Sequence, residues 1–403
     1  MTKYAFLNVP AYGHVNPTLA VAHELVARGE QVSYYLTDTF RASIEATGAI
    51  FKPYQMAEMR PPEGAVRPQG INISHLLGML LRTSASILPQ VLDRLREEQP
   101  DCIIYDFMCP AGYLAAQILH IPAINLRPSY VPSKEMMSRG PFARAQAPGA
   151  EMTALQEQLD ELCASYGIPS IRPMDIWTHH EELNICFIPR AFQPGGDSLD
   201  ERFVFVGPSI FMRQDAPAFE LKRAEGQPTL YISLGTVMNN RPDFFRLCFE
   251  AFAHQPWHVV MAHGTRLDMA ALGPVPENFQ VAPYLPQLEV LQQTSVFITH
   301  GGMNSTMESL FYGVPLIVVP QQPEQALTGQ RVSELGLGTA LKSDELSTIV
   351  LQQAVARVSS DPAIRANVQA MQQTVRNCGG YRQAVDAITN FAATHPRNST
   401  TLA

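Results

Sequence analysis

The sequence predicts an α/β protein in two halves, each a parallel sheet covered by helices. Short runs rich in β-branched and aromatic residues alternate with longer helical stretches, the mark of βαβ units. The alternation fades between Gly207 and Pro228 and then begins again. The chain has 403 residues, room for two or three cores at roughly 100–200 residues each. The expected division is a first half over 1–207, a linker over 208–228, a second half over 229–378, and a closing helix with a frayed tail over 379–403 that packs back on the first half.

In the first half, Tyr4–Val9 is an apolar strand. Pro17 is expected to open the next helix, because a proline at the first helical position gives up no bond, and Gly29 to stop it. Gln31–Leu36 and Ile50–Tyr54 are strands around a helix capped by Asp38 or Thr39 that runs to Thr47. Residues 55–71 hold Pro61, Pro62, Gly64, Pro68 and Gly70 and read as a long loop. Ile73–Glu98 is a long helix, and strands Asp101–Tyr105 and Ile121–Leu126 flank the helix Pro110–Leu119. Residues 128–149 are irregular, Thr153–Tyr166 is helical, and Leu183–Ile188 and Arg202–Val206 are late strands.

Strands of the second half are expected at Thr229–Leu234, His258–Met261, Phe279–Val281, Val296–Thr299 and Pro315–Val319. Its helices are expected at Asp243–His254, Leu288–Gln293, Gly302–Tyr312, Glu324–Leu335 and Glu345–Ser359. Ile364–Ala393 is helical with a break at Gly379-Gly380.

Composition excludes several classes. Charged residues are 16% and apolar residues 46%; the charged fraction is below the roughly 25% of an average globular protein, which argues against disorder and coiled coil. A net charge of -8 without any Lys/Arg run argues against nucleic acid as a partner. Pro, Gly and polar residues break every long uncharged stretch, so no membrane span is expected. Residues 1–10 are too short in apolar length for a signal peptide. The six cysteines, Cys102, Cys109, Cys163, Cys186, Cys248 and Cys378, form no CxxC pair, and buried thiols in a reducing cytoplasm are expected.

Missing motifs narrow the chemistry. There is no GxGxxG, no GxxxxGK[ST], no GxSxG and no Asp-x-Asp. A phosphate would therefore be held by backbone amides and neutral side chains. The segment Phe297-Ile298-Thr299-His300-Gly301-Gly302-Met303-Asn304-Ser305 runs from a strand through two glycines into a helix. A helix start offers unpaired N–H groups and the positive dipole end, and His300, Asn304 and Ser305 add donors. Taken alone, the pattern serves equally as a strand–turn–helix with Asn and Ser as caps.

Glu308, about one turn beyond Asn304, suits two vicinal hydroxyls such as those of a ribose; the alternative is a solvated helix charge. Ser233-Leu234-Gly235-Thr236 follows the first strand of the second half, at the strand end where parallel sheets bind ligands. Glu324 and Gln325, after Pro320-Gln321-Gln322-Pro323, offer groups to sugar hydroxyls or else simply start a helix.

In the first half, His14 follows the first strand and Asp106 ends the Asp101–Tyr105 strand, on one edge of the sheet. A free imidazole titrates near pH ~6.5 and makes a ready general base, and an Asp can hold its tautomer and stabilise its charged form. First-half residues alone also allow a surface histidine and a capping aspartate.

The stretch His300-Gly-Gly-Met-Asn304-Ser305…Glu308…Gly313-Val314-Pro315…Pro320…Glu324-Gln325 resembles the donor box of nucleotide-sugar glycosyltransferases with the GT-B fold, two Rossmann-like domains facing across a cleft. Gly13-His14-Val15-Asn16-Pro17-Thr18-Leu19 and Phe205-Val206-Gly207-Pro208 are similar to the bacterial macrolide-glycosyltransferase group. The resemblance implies His14 as general base with Asp106 as its supporting acid, and Tyr284-Leu285-Pro286-Gln287 as the segment against the uracil or thymine. It implies His300, Asn304 and Ser305 at the diphosphate, Glu308 at the ribose, and Glu324 and Gln325 at the sugar; by their placement alone, Gly301 and Gly302 of the same turn and Ser233, Gly235 and Thr236 of the turn after the first strand are expected at that diphosphate too. Many relatives carry Trp at the place of Tyr284 and Asp at the place of Glu324.

The activity so implied is inverting O-transfer of a hexose, glucose foremost, from a UDP- or dTDP-sugar to an apolar acceptor such as a flavonoid, another polyphenol or a macrolide, with no metal and no cofactor. Met56, Met59, Met79, Met136 and Met137 are candidates for adaptable acceptor contacts or ordinary packing. Two other readings stay open: a nucleotide-sugar binding protein without transfer activity, and a sugar-nucleotide epimerase of the same fold.

Overall fold

The computed structural model describes residues 1–56, 73–133, 137, 149–211, 219–236 and 239–397. Contacts divide the chain into two compact units, Met1–Ser209 with Cys378–Ala403 and Ile210–Asn377. The first break falls near the start of the expected linker and the second just before the expected one.

The first unit carries strands β1 (Lys3–Leu7), β2 (Gln31–Leu36), β3 (Ile50–Pro53), β4 (Cys102–Asp106), β5 (Ala123–Arg127), β6 (Asn184–Cys186) and β7 (Phe203–Phe205). They form a seven-stranded sheet in the order β3-β2-β1-β4-β5-β6-β7, with parallel pairing. Its helices are α1 (Tyr12–Ala27), α2 (Arg41–Glu45), α3 (Ile73–Glu98), α4 (Pro110–Leu119), α5 (Ala150–Ser165) and α6 (Asp175–Thr178). Tyr4 to Leu7 and all of β4 and β5 are buried. That is why these strands read as continuous apolar runs: both faces of a parallel sheet are covered.

The second unit carries β8 (Thr229–Ser233), β9 (His258–Ala262), β10 (Phe279–Ala282), β11 (Val296–Thr299), β12 (Leu316–Val318) and β13 (Gly338–Ala340). They form a six-stranded parallel sheet in the order β10-β9-β8-β11-β12-β13. Its helices are α7 (Pro242–Phe252), α8 (Gln287–Leu291), α9 (Met303–Tyr312), α10 (Pro323–Glu334), α11 (Thr348–Ser360) and α12 (Pro362–Asn377). A last helix, α13 (Gly380–Thr394), belongs to the first unit: it packs on α1, and Arg28 Nη1 lies 2.5 Å from Asp386 Oδ1. In both sheets the first strand lies between the second and the fourth, so the strand order reverses there. Crevices at such reversals, beyond the carboxyl ends of the strands, are where open α/β sheets take ligands.

Three local expectations change. The first helix opens at Tyr12, not Pro17, so Pro17 lies inside it. A proline there removes a helical bond, and the first turn is held from outside, Asn8 Nδ2 donating to the carbonyl of His14 at 3.2 Å. Asp38–Phe40 is a 3₁₀ turn leading into the short α2 rather than one helix to Thr47. Strand β13 was not expected, because Gly-Thr-Ala has too little apolar length to signal a strand; its pairing with β12 creates it. Most of the expected loops 55–71 and 128–149 lie outside the described residues.

Close approach of α4 to β4 depends on Gly112, where an added Cβ would sit 2.2 Å from Tyr105 Cβ. Gly112→Ala is expected to destabilise the protein by about 1–3 kcal/mol through overpacking, read as a lowered urea midpoint at unchanged slope.

Candidate active site

The two strand reversals gather the chemistry. In the first unit, β1 pairs with β4, and the chain leaves β1 into α1, whose first turn carries His14. Asp106, at the end of β4, is fully buried. Its Oδ2 lies 2.8 Å from His14 Nδ1, and its Oδ1 accepts the Met108 N–H at 2.8 Å. A carboxylate only accepts, so the bonded imidazole nitrogen carries the proton and Nε2 carries the lone pair. The aspartate therefore both turns its own loop and grips the histidine. His14 is neither a loop residue nor fully exposed: its side chain is 22% accessible, and its ring centre is 5.8 Å from that of Phe107. Phe107 also faces the buried guanidinium of Arg127, 5.4 Å away; neither residue carried a sequence signal.

In the second unit, β8 pairs with β11. Ser233, at the end of β8, is buried, and its Oγ accepts the Gly235 N–H at 3.3 Å. His300 follows β11 and packs against both glycine turns. A Cβ on Gly235 would lie 2.6 Å from its Cε1, and one on Gly302 2.4 Å from its Nε2. Only glycine fits at either place. Burial in this packing pushes the His300 imidazole down to about 4, against a weaker opposing bond to the Ser233 backbone, so the ring is neutral at neutral pH. Gly302 caps α9 with no side-chain hydrogen bond of its own, and the first turn of that helix carries no acidic residue. Asn304 and Ser305 follow Gly301 and Gly302 in that turn, both partly buried, and Thr236 is exposed beside Gly235.

Glu308 is not a solvated helix charge. It is 6% exposed, and its Oε2 accepts from Gln287 Nε2 at 2.5 Å. The same amide reaches Ser305 Oγ at 3.1 Å. Gln287, Ser305 and Glu308 thus form one cluster across α8 and α9. Tyr284, just before it in the chain, presents an aromatic ring that is 44% exposed, unusual for a large apolar side chain and suited to stacking.

At the end of β12 the local arrangement is a well-formed helix start. Gln325 Oε1 accepts the backbone N–H groups of Gln321 at 2.7 Å and Gln322 at 3.1 Å, Pro323 is the first helical residue, and Glu324 is exposed. The Gln325 carbonyl oxygen is thereby committed to the loop. Two residues outside any motif brace these loops: Arg241 Nη1 donates to Gln321 Oε1 at 2.5 Å, and Asn239 Nδ2 to the Gly235 carbonyl at 2.8 Å. Their only sequence signal is position, in the loop between β8 and α7.

Comparison with known proteins places the chain in a family. The sequence profile for the C-terminal domain of proteins like erythromycin biosynthesis protein CIII matches residues 257–377. The chain is 38% identical over 395 residues to the NDP-glycosyltransferase YjiC of Bacillus licheniformis, an alignment spanning 96% of this chain and 97% of that protein. The chain belongs to the macrolide-type glycosyltransferases. This glycosyltransferase is also 34% identical to the demethyllactenocin mycarosyltransferase of Streptomyces fradiae, over 96% of this chain and 86% of that one. Its fold is GT-B: the crystal structure of the calicheamicin glycosyltransferase CalG4 matches with a TM-score of 0.86 and 33% identity, covering 98% of both chains. Among the described residues no helix is long and apolar enough to cross a membrane.

His300 ties proton uptake to stability. Held at about 4 in the fold against 6.5 for the free side chain, it binds fewer protons folded than unfolded between those values. Its contribution is complete above the unfolded value and is lost as the pH falls toward the folded one. His180 in the first unit, likewise pushed down to about 4 by burial, acts in the same direction. The expected result is an NMR titration midpoint for His300 far below that of a free imidazole, and a melting temperature that declines through this acidic window less steeply in His300→Gln than in the parent.

Proposed function

We propose that this glycosyltransferase is an inverting O-glycosyltransferase that moves a hexose, glucose foremost, from a UDP- or dTDP-sugar to a hydroxyl of an apolar small molecule such as a flavonoid, another polyphenol or a macrolide. The observation that carries the reading is the His14 Nδ1 to Asp106 Oδ2 contact of 2.8 Å. It fixes the tautomer in which Nε2 is the base, and a binding protein or an epimerase acting without an acceptor has no need of it.

The acceptor hydroxyl gives its proton to His14 Nε2 as its oxygen forms a bond to the anomeric carbon. The bond from that carbon to the diphosphate oxygen breaks, and the nucleoside diphosphate leaves from the opposite face with the electron pair. Asp106 stabilises the imidazolium that results. The amides of Gly301, Gly302 and Asn304, the neutral His300 and the Ser305 hydroxyl meet the charge growing on the leaving group, with Ser233, Gly235 and Thr236 on its other side. Tyr284 and Gln287 meet the base, Glu308 the ribose, and Glu324 with the Gln325 amide the transferred sugar. Divalent metal has no step in this scheme. YjiC is named for nucleoside-diphosphate donors in general and the Streptomyces relative for mycarose transfer.

Mass-spectrometric screening of UDP- and dTDP-sugars against phenolic and macrolide acceptors tests the reading. Product with inverted anomeric configuration is expected, formed equally in excess EDTA. His14→Ala is expected to lose about 100- to 10,000-fold in kcat with donor affinity retained; undiminished turnover in that variant removes the base assignment.

A further inference from the structure

The buried tyrosine of β8 takes no part in the scheme above, yet it stands behind the ribose cluster. Tyr231 is 1% exposed. Its ring stacks on Phe297, its registered partner on β11, with centres 4.6 Å apart and planes 11° from parallel, which fixes the direction of the hydroxyl. It points toward Gln287, with the hydroxyl 3.4 Å from Oε1. The other end of the same amide donates to Glu308 Oε2 at 2.5 Å and to Ser305 Oγ at 3.1 Å. Glu308, a carboxylate, accepts only, so the NH₂ end must face it. Turning the amide over would set its carbonyl against the carboxylate and its NH₂ against the tyrosine. Three elements, β8, α8 and α9, are thereby linked in one chain of donors and acceptors that ends on the Glu308 carboxylate.

We propose that Tyr231 is a positioning residue for donor selection: through Gln287 it aims Glu308 at a ribose bearing both hydroxyls, and so favours ribonucleotide over 2′-deoxyribonucleotide donors. The inference rests on the reading that Glu308 meets the ribose. A carboxylate held in one orientation accepts from the 2′- and 3′-hydroxyls together, whereas one free to rotate serves a single hydroxyl nearly as well. The hydroxyl of Tyr231 is thus felt through the 2′ position alone.

Calorimetric titration of the full-length protein with UDP and with 2′-deoxy-UDP reads this without turnover. In the parent, UDP is expected to bind more tightly than 2′-deoxy-UDP. Tyr231→Phe, which removes one oxygen, is expected to weaken UDP by roughly three- to ten-fold, the range of one hydrogen bond, and 2′-deoxy-UDP by less than two-fold (~ the scatter of a surface substitution). Donor KM for a UDP-sugar should rise in step with kcat unchanged. Gln287→Met serves as the second variant should Tyr231→Phe fold poorly; because Gln287 also meets the base, it is expected to weaken both nucleotides, UDP by the larger factor. Equal weakening of both nucleotides, or of neither, overturns the proposal. Glu308→Gln separates the two levels: if it erases the UDP preference while Tyr231→Phe keeps it, the tyrosine has no positioning role. If Glu308→Gln keeps the preference, the ribose assignment itself falls and the proposal with it.

Discussion

Parallel pairing of a first strand with a fourth, made once in each unit, is the constraint on which everything else rests. Tyr4 to Leu7 align with Cys102 to Tyr105, and Leu230 to Ser233 with Val296 to Thr299. The next strand in each sheet lies on the far side, so the loops after these two pairs diverge and their residues stand at an open edge. His14 and Asp106 are 92 positions apart in sequence and 2.8 Å apart in space for this reason. The same arrangement sets the glycine turn after β8 against His300. Apolar strand interiors supply the adhesion: Ile103, Ile104, Ile232 and Ile298 are completely buried, each worth about 1.5–3 kcal/mol on removal from water.

Burial then decides the character of the groups at those edges. The aspartate is dehydrated but holds two donors, the imidazole and a backbone amide. His300 is kept uncharged by its surroundings, so the second edge presents dipoles rather than a full positive charge. A donor that need not reorganise as charge builds is the kind that lowers a barrier most. Glu308, a buried carboxylate, is tolerable because an amide already faces it. Each of these groups is costly alone and stable with its neighbour, and that tightens the geometry of both.

Much of this was legible in the residues. Continuous apolar runs gave the strands, and the helix Ile73–Glu98 stands where its periodicity put it. Strand β11, the glycine pair and the helix after it stand as the segment predicted, and the comparisons show the family the resemblance pointed to. What escaped depended on tertiary contact. Pro17 pointed to a helix start five residues late; the first turn is held from outside the helix by Asn8, in the loop before it. Strand β13 exists only through its neighbour. Arg241 and Asn239 sit in no motif; their work is to tie one loop to another. Local patterns also left Glu308 open between a ribose ligand and a solvated helix charge, and Asp106 between a partner for His14 and a helix cap; their partners come from other elements, an amide from α8 for one and an imidazole from α1 for the other.

The return of α13 to the first unit has a topological consequence. Both chain ends belong to Met1–Ser209 with Cys378–Ala403, so Ile210–Asn377 is a single uninterrupted insertion with two seams. One seam is pinned by the Gly380 amide bonding to the Val206 carbonyl at 2.8 Å. Evolution, or an engineer, can therefore exchange the whole inserted unit between relatives as one cassette, cutting at two places that already lie side by side, and leave the host unit with its His14–Asp106 pair untouched.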